Sequence, residues 1–219
     1  MQNCRTNYDE AEWYYRRALE LDPTNAWHNY SMAYFMQYRR TNYDEAELYY
    51  RKAILLAPQD DYCIDALAGF LVVARKNVGA AEQTYRQAID KYPTNIDPTC
   101  SLARFMTDVR TNFDAAEQLY RQATQLAPTN ANITFRLAGF MENARTNYNE
   151  AEQFYRKTLK LAPQRGYYVH RFALFMDKKR KNYPEASQLY KSALKLIPSN
   201  KELDQEYGRF QKEHPEFDK

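Results

Sequence analysis

The residue types that most often carry catalysis or bind metal ions are few in this sequence and are not grouped. His28, His170 and His214 are scattered, and no cysteine or carboxylate stands beside them at the spacing of a metal site. There is no Gly-rich phosphate loop and no Gly-x-Ser-x-Gly elbow. We therefore predict that the protein is not an enzyme, holds no metal ion and needs no cofactor.

The cysteines suggest a compartment rather than a reaction. Cys4, Cys63 and Cys100 are an odd, unspaced set, which does not make a disulfide framework. We interpret them as reduced thiols that helix packing explains, in an intracellular and cytoplasmic protein. No signal peptide is evident, and the longest apolar run, 66–74, is too short to span a bilayer, so we expect no membrane association.

A row of arginines is the next candidate for chemistry. One arginine recurs every 35 residues, just before a fixed asparagine: Arg5, Arg40, Arg75, Arg110, Arg145 and Arg180. Such a row could bind an anionic partner, or it could form one inter-helix salt bridge per repeat with the recurring Glu12, Glu47 and their counterparts. We favour the salt bridge, because a position fixed in every unit is better explained by architecture. The net charge of +3 is small and unclustered, so we expect no direct nucleic-acid binding.

The elements that position these residues come from a repeat of 35 residues, which runs through the chain without insertion or deletion. Its clearest copy is the segment 40–58, RTNYDEAELYYRKAILLAP. The recurring asparagines are Asn7, Asn42, Asn77, Asn112, Asn147 and Asn182. A fixed period in this range is typical of a solenoid of identical supersecondary units. We therefore predict an all-α fold of this kind.

The second helix of each unit, helix B, has clear start and stop signals. Asn42 is typical of an N-cap, and Glu45 completes a capping box. The same pair recurs as Asn7–Glu10, Asn147–Glu150 and Asn182–Glu185. Alanine and tyrosine at steps of three and four, as at Ala46 and Tyr50, predict one buried helical face. A proline such as Pro58 ends the helix.

The first helix, helix A, follows a Pro-Thr-Asn turn, for example over residues 25–38. Its apolar face should pack on helix B of both flanking units. We predict a partial repeat at 1–24, mainly helix B, then full repeats at 25–59, 60–94, 95–129, 130–164 and 165–199, and a C-terminal capping helix within 200–219. The missing helix A in 1–24 suggests a piece of a longer array.

The unit resembles the tetratricopeptide repeat. Leu-Ala in helix A stands where that family has Leu-Gly, and Ala46, Tyr50, Ala53 and Pro58 match its small, aromatic, small and proline positions. The resemblance covers residues 1–219. It implies a right-handed superhelix of antiparallel helix pairs, a concave groove lined by A helices, binding of peptides or partner proteins, and no catalysis. The period is 35 rather than the roughly 34 usual in that family, and we expect the extra residue between the helices.

Recognition should use the helix-A positions that vary between repeats, because the fixed positions hold the fold. Tryptophan and tyrosine form a stripe along the first full helix A, at steps of three and four, and these residues dominate binding hot spots. The alternative is that the rings only pack against neighbouring A helices. The residues that we predict to contact a partner, by correspondence with the family's groove, are Trp27, Tyr30, Tyr34, Tyr38, Tyr62, Asp65, Val72, Arg104, Phe135, Arg136, Tyr167, His170 and Arg171.

Three functional interpretations stay open. The leading one is a non-enzymatic scaffold that holds a peptide or partner segment in the groove. The second is a structural solenoid that associates head to tail with its own copies through an uncapped N-terminal end. The third follows from the Ala-x-Phe-Met pattern of helix A, which resembles the half-repeats of RNA-processing factors. It predicts an assembly platform in RNA processing, which binds protein partners that are themselves bound to RNA and does not contact RNA directly.

Overall fold

The computed structural model describes the backbone of residues 2–217 and the side chains of residues 7–217. Met1 and the side chains of Cys4 and Arg5 lie outside this part. Over the described backbone there are twelve α-helices and no strand, which confirms the all-α prediction. The helices are α1 (Gln2–Leu21), α2 (Ala26–Phe35), α3 (Tyr43–Leu56), α4 (Asp61–Val73), α5 (Val78–Lys91), α6 (Ile96–Asp108), α7 (Phe113–Leu126), α8 (Ala131–Asn143), α9 (Tyr148–Leu161), α10 (Gly166–Phe175), α11 (Tyr183–Leu196) and α12 (Lys201–Glu213). Within the described backbone, none of these helices has the length and apolar character needed to cross a membrane.

The chain forms two compact units, Met1–Leu119 and Tyr120–Lys219. In the first unit, the B helices α1, α3 and α5 alternate with the A helices α2, α4 and α6. In the second, the A helices α8, α10 and α12 alternate with the B helices α9 and α11. Helix α3 contacts both α2 and α4, and α11 contacts both α10 and α12. A helix B therefore packs on its own helix A and on the next one, as predicted.

The core of each unit is built from one recurring contact between rings. A helix-A phenylalanine packs on the tyrosine of the preceding helix B, with ring centroids 5.2–5.6 Å apart. The pairs are Phe35–Tyr15, Phe70–Tyr50, Phe105–Tyr85, Phe140–Tyr120, Phe175–Tyr155 and Phe210–Tyr190. The alanines four residues before the tyrosines of α3 to α11, such as Ala46 and Ala186, are fully buried, and their small side chains let the next helix approach closely.

The junction between helix A and helix B is wider than an ordinary α-helical end. The Asn42 amide donates to the Met36 carbonyl at 3.0 Å, and Thr41 between them has a φ of 52°. The turns Met36–Arg40 and Met176–Arg180 are π-helical. Because a π-helical turn holds more residues than an α-helical turn, this junction can accommodate the extra residue of the 35-residue period.

The asparagine N-caps of α3, α9 and α11 are confirmed, but the glutamates act differently from the prediction. Asn42 Oδ1 accepts from the Glu45 amide at 3.2 Å, and Glu45 Oε2 accepts from the Asn42 side-chain amide at 3.0 Å. The expected bond to the Asn42 backbone amide is absent, because that amide donates to Met36. The predicted cap at Asn7 is wrong: α1 starts at Gln2 and runs through this residue, without the positive-φ junction found before Asn42.

Helix α12 closes the second unit. Leu203, Tyr207 and Phe210 point inward and are buried, whereas Asp204 and Lys212 are exposed. The Ser187 hydroxyl donates to the Phe217 carbonyl at 2.7 Å, which fixes the segment after the helix. Helix α12 thus has a buried apolar face and a polar outer face, and its role as a capping helix stays a prediction.

Candidate functional site

The arginine row forms the predicted inter-helix salt bridges. Arg75 Nε donates to Glu47 Oε2 at 2.9 Å and its Nη2 to Asp44 Oδ1 at 2.6 Å. Arg40 and Arg110 make the corresponding bond, each to the glutamate 28 residues earlier in the chain. Burial opposes ionisation of Glu47, but hydrogen bonds from Arg51 and Arg75 hold its pKa below the usual range. The guanidinium groups of Arg40, Arg75 and Arg110 thus form ion pairs within the fold, which argues against a role in binding an anionic partner.

Aromatic side chains of α2 and of the turn after it, together with one tyrosine of α4, form a surface that we call the aromatic wall. Its members are Trp27, Tyr30, Tyr34, Tyr38 and Tyr62. Trp27 is 58% exposed, Tyr34 47%, Tyr38 55% and Tyr62 52%. These values contrast with the repeating helix-B tyrosines of α3 to α11, Tyr50, Tyr85, Tyr120, Tyr155 and Tyr190, which are buried. The wall therefore presents four large rings to solvent on A helices of the first unit.

Ring contacts hold the aromatic wall in one arrangement. Trp27 stacks on Tyr30 with centroids 5.0 Å apart, and Tyr62 lies 4.9 Å from Tyr30. The hydroxyl groups of Tyr30 and Tyr62 share a hydrogen bond of 3.0 Å. The centroids of Tyr34 and Tyr38 are 4.4 Å apart. Tyr30 itself is only 9% exposed, so it supports the other rings and offers little surface of its own.

An apolar pocket of about 280 Å³ lies between α4 and α6 of the same unit. Val72 and Val73 line it together with Val109. At its edge, Asp65 accepts from the Tyr85 hydroxyl at 2.8 Å and from Arg104 at 2.6 Å. Both carboxylate oxygens of Asp65 are thereby engaged, and a second carboxylate, Asp108, also lines the pocket.

A polar link between helices lies beneath these surfaces, and the sequence interpretation missed it. The helix-B tyrosine donates its hydroxyl to a polar residue 13 positions earlier on helix A, at 2.7–3.3 Å. The pairs are Tyr50–Gln37, Tyr155–Glu142 and Tyr190–Asp177. Burial first, and then the Glu142 carboxylate, raise the pKa of Tyr155 well above its usual range, so the phenol stays protonated and donates. The signal available in the sequence was the Gln, Glu or Asp at one slot of these repeats.

The second unit has its own smaller aromatic cluster. Phe135 stacks on Tyr168 with centroids 4.7 Å apart, and Tyr167 lies 5.5 Å from Phe135. Tyr167 is exposed and Phe135 half-buried. Arg136 is exposed and Arg171 half-buried on the same A helices. The predicted residues of this unit thus combine rings with cationic side chains.

His170 is buried, in contrast to its predicted role in partner contact. The residue is 1% exposed and lies 6.4 Å from the Tyr190 ring. Burial, which outweighs the neighbouring Glu202, lowers the pKa of His170, so the imidazole is neutral near pH 7. Its ring is part of the interior of the second unit and is not available to a ligand.

Two further features of the described part of the chain concern its cysteines and its possible metal-binding side chains. Burial raises the pKa of Cys63 to about 11, which leaves an unreactive thiol. Cys100 is also buried. Among residues 7–217, no group of three or more His, Cys, Asp or Glu side chains is placed to hold a metal ion.

Two family models of the tetratricopeptide repeat match the chain, one over residues 14–48 and the other over residues 110–171. The first segment lies in the first compact unit, and the second runs from the end of that unit into the second. No curated protein is significantly similar to the chain in sequence.

Solved structures share the fold at low sequence identity. Yeast Tom70 aligns with a TM-score of 0.72 and 22% identity over 92% of this chain. The chain spans 42% of the length of that Tom70 chain. A tetratricopeptide repeat protein of Thermus thermophilus, TTC0263, aligns with a TM-score of 0.60 and 17% identity, covering 84% of this chain and 98% of its own. YrrB, described as having an unusual peptide-binding site, aligns with a TM-score of 0.54 and 15% identity, covering 89% of this chain and 97% of its own.

Proposed function

Because the chain is a tetratricopeptide repeat protein, we propose that it is a protein-interaction scaffold whose aromatic wall holds an apolar or amphipathic segment of a partner. The single observation that carries this proposal is the exposure of four rings at variable positions of A helices, Trp27, Tyr34, Tyr38 and Tyr62. Exposed aromatic patches of this kind mark interaction sites, and tryptophan and tyrosine are enriched among binding hot spots.

The ring contacts support a surface that is ordered before a partner arrives. Tyr30 is packed beneath Trp27 and Tyr62, and the Tyr30–Tyr62 hydroxyl contact fixes their orientation. Little conformational entropy would then be lost in ordering the wall when a partner binds.

The pocket beside Val72 favours an uncharged contact. Because Asp65 is already bonded to Tyr85 and Arg104, an apolar side chain of the partner can pack against Val72 and its neighbours without breaking that ion pair, while Asp108, which also lines the pocket, stays exposed to solvent. An extended or helical segment with aromatic and aliphatic side chains therefore suits both features of the first unit.

The proposal can be tested with a library of random peptides, each of about 16 residues and so long enough for a few helical turns, displayed on phage and selected on the intact protein. We expect the selected peptides to be rich in aromatic and aliphatic residues. Tyr34→Ala and Tyr62→Ala should each weaken their binding by about 2 kcal/mol, which is the size of a hot-spot contact. Leu48→Ala is the control, because Leu48 is an exposed apolar residue on helix B.

The outcome that would overturn the proposal is equal affinity for the wild type, Tyr34→Ala and Tyr62→Ala. Selected peptides that respond only to Leu48→Ala would also contradict it, since they would place recognition on the helix-B side. Thermal melts of each variant check that the fold is intact.

A further inference from the structure

One apolar pocket of the first unit is lined by residues at which the repeat departs from its own pattern. The pocket has a volume of about 330 Å³ and is formed by α3, α4 and α5. Ile64 and Leu67 of α4 form its floor and are buried. We call it the α3–α5 pocket. None of the rings of the aromatic wall lines it, so it is a separate surface.

Thr84 of α5 is the small member of a slot that otherwise holds a leucine or an aromatic residue. The residues at this slot in the other repeats are Tyr14, Tyr49, Leu119, Phe154 and Leu189. Thr84 lines the pocket, and its hydroxyl donates to the Ala80 carbonyl of its own helix at 2.9 Å. A threonine leaves unfilled the volume that a larger side chain would occupy. The pocket therefore has room for one large apolar side chain from outside the protein.

The end of α5 places a cation and a ring at the edge of the same pocket. Lys91 stands at a slot that is leucine in the other repeats: Leu21, Leu56, Leu126, Leu161 and Leu196. Its Nζ lies 5.5 Å from the centroid of Tyr92, and both residues line the pocket. Lys91 is exposed and makes no ion pair among the described residues. An exposed ammonium group beside an apolar pocket favours an anionic neighbour.

Leu55 extends the apolar surface beyond the pocket. It is 76% exposed. The other repeats have a polar or charged residue at its slot: Glu20, Asp90, Gln125, Lys160 and Lys195. Leu55 also borders a second depression of about 350 Å³, together with Tyr49 and Leu56. Two apolar depressions that share one exposed leucine suit a chain with several side chains better than a single small molecule.

The two depressions are lined by positive charges and by no negative ones among the described residues. Lys52 lines the second depression, with its Nζ 5.2 Å from the Tyr49 centroid, and like Lys91 it makes no ion pair within the described part of the chain. Arg51 in the first pocket pairs with Glu47 at 2.8 Å. The two lysines are therefore the cations that a ligand can neutralise.

We propose that the α3–α5 pocket binds an acidic segment of a partner protein through one inserted leucine or aromatic side chain. The inserted side chain occupies the space beside Thr84 and packs on Ile64 and Leu67. Aspartate or glutamate residues that flank it in the segment pair with Lys91 and, on the other side of Leu55, with Lys52. The segment can bind whether or not a partner occupies the aromatic wall.

The test starts from an array of immobilised peptides of about 12 residues, which span about 40 Å when extended. Each peptide consists of aspartate and glutamate with one leucine or phenylalanine, or with two of them at every spacing. In one reference array alanine replaces the apolar residues, and in another lysine replaces the acidic ones. The labelled intact protein should bind the acidic peptides with apolar residues more strongly than either reference.

Thr84→Leu is the decisive variant, because it fills the space that the inserted side chain needs. Leucine is the native residue at this slot in α7 and α11, so the fold should tolerate it. By fluorescence anisotropy with the best peptide of the array, we expect Thr84→Leu to weaken binding at least about tenfold. Gln83→Leu is the matched control. It adds the same side chain to the same helix at an exposed position that does not line the pocket, and it should leave the affinity unchanged.

A charge exchange tests the lysine contact separately. Lys91→Glu should weaken binding of the acidic peptide about threefold to tenfold, because it replaces attraction by repulsion at an exposed site. The same variant should bind the lysine-substituted peptide more tightly than the wild type does. If Lys91→Glu changes the affinity for both peptides in the same direction, the assigned ion pair is wrong.

Equal affinity of the wild type and Thr84→Leu, or an array without preference for acidic peptides that carry apolar residues, would overturn the proposal. Sedimentation that shows a dimer abolished by Thr84→Leu would assign the pocket to a second copy and contradict the partner segment. Saturable binding of free decanoate without binding of any peptide would contradict it too, in favour of a small amphiphilic acid. Circular dichroism checks that the variants fold. If Thr84→Leu is unfolded, Leu55→Glu at the exposed edge takes its place, and unchanged affinity then overturns the proposal equally.

Discussion

The residue that joins helix A to helix B adopts a left-handed backbone conformation in five repeats, although none of the five is glycine. They are Thr41, Lys76, Thr111, Thr146 and Lys181, with φ between 51° and 56°. This conformation costs roughly 1–2 kcal/mol in L-residues and is least suited to β-branched side chains. The wide junction forces it, because the amide of the following asparagine must reach a carbonyl six residues back, as Asn147 reaches Met141.

We therefore expect Thr146→Asn to stabilise the protein by about 1 kcal/mol, since asparagine tolerates this conformation. Unlike glycine, it does not increase the conformational entropy that the unfolded chain loses on folding. The gain must exceed the loss of the 2.7 Å bond from Thr146 Oγ1 to the Arg145 carbonyl. The unfolding midpoint in urea measures the change. Thr146→Val, which keeps the branched shape and removes the hydroxyl, should be less stable than the wild type. A Thr146→Asn variant no more stable than the wild type would show that the junction is not strained.

At the scale of helices, two glycines of the second unit differ in whether a larger side chain would fit in their place. A Cβ added at Gly139 in α8 would meet nothing within 4 Å. A Cβ added at Gly166, the first residue of α10, would lie 2.8 Å from Ile197 Cγ2 and 3.0 Å from Leu196 Cβ. Gly139 only weakens its helix, whereas Gly166 allows α10 to begin close to the end of α11.

Gly139→Ala should accordingly stabilise the protein by about 0.5–1 kcal/mol through helix propensity. Gly166→Ala should destabilise it by about 1–3 kcal/mol through overpacking. Urea denaturation of both variants gives the two values side by side. In the background of Ile197→Ala, the cost of Gly166→Ala should fall, and a cost that stays the same would rule out the contact with Ile197.

The helices were the predictable part of this fold, and the junctions were not. The faces of α3 follow from steps of three and four residues, and its ends from Asn42 and Pro58, so local spacing suffices. The wide junction depends on backbone hydrogen bonds, which do not require a particular side chain. Threonine, the residue type at position 41, is not one that predicts a positive φ. The misassigned cap at Asn7 has the same cause, because the asparagine signal is present there but the junction is not.

The sequence was sufficient to predict which rings are exposed, but not how deeply each of the proposed site residues is buried. Variation between repeats located the exposed rings Trp27, Tyr34 and Tyr62. It could not show that Tyr30 is packed beneath them, since this depends on the hydroxyl contact between residues of adjacent repeats. His170 illustrates the same limit, because residues at its slot range from buried, as His170 is, to exposed, as Gln205 is, and the repeat pattern alone does not distinguish them.

At the scale of the whole molecule, a repeat array distributes its stability along the chain. Each helix contacts mainly its neighbours in sequence, so each repeat is stabilised by its own packing and by its nearest interfaces. A destabilising substitution in one repeat should then promote unfolding mainly of that repeat and its neighbours. In a protein with a single central core, the same loss would destabilise the whole fold. The terminal helix α12 is the place to test this, because it contacts α11 and the short segment that follows it.

Phe210→Ala removes the fully buried ring of α12 that packs on Tyr190 and Tyr183. A phenylalanine-to-alanine change in a core costs about 3–5 kcal/mol. We expect that loss to open α11 and α12, so that hydrogen exchange accelerates over these helices and stays unchanged in α5. Both tryptophans, Trp13 and Trp27, belong to the first unit, so tryptophan fluorescence should report an unchanged unfolding midpoint. If the fluorescence midpoint instead falls together with the protection of α12, the array unfolds as one cooperative body and the local account is wrong. Phe210→Leu is the matched control, because it keeps most of the apolar volume and should leave the exchange of α11 close to that of the wild type.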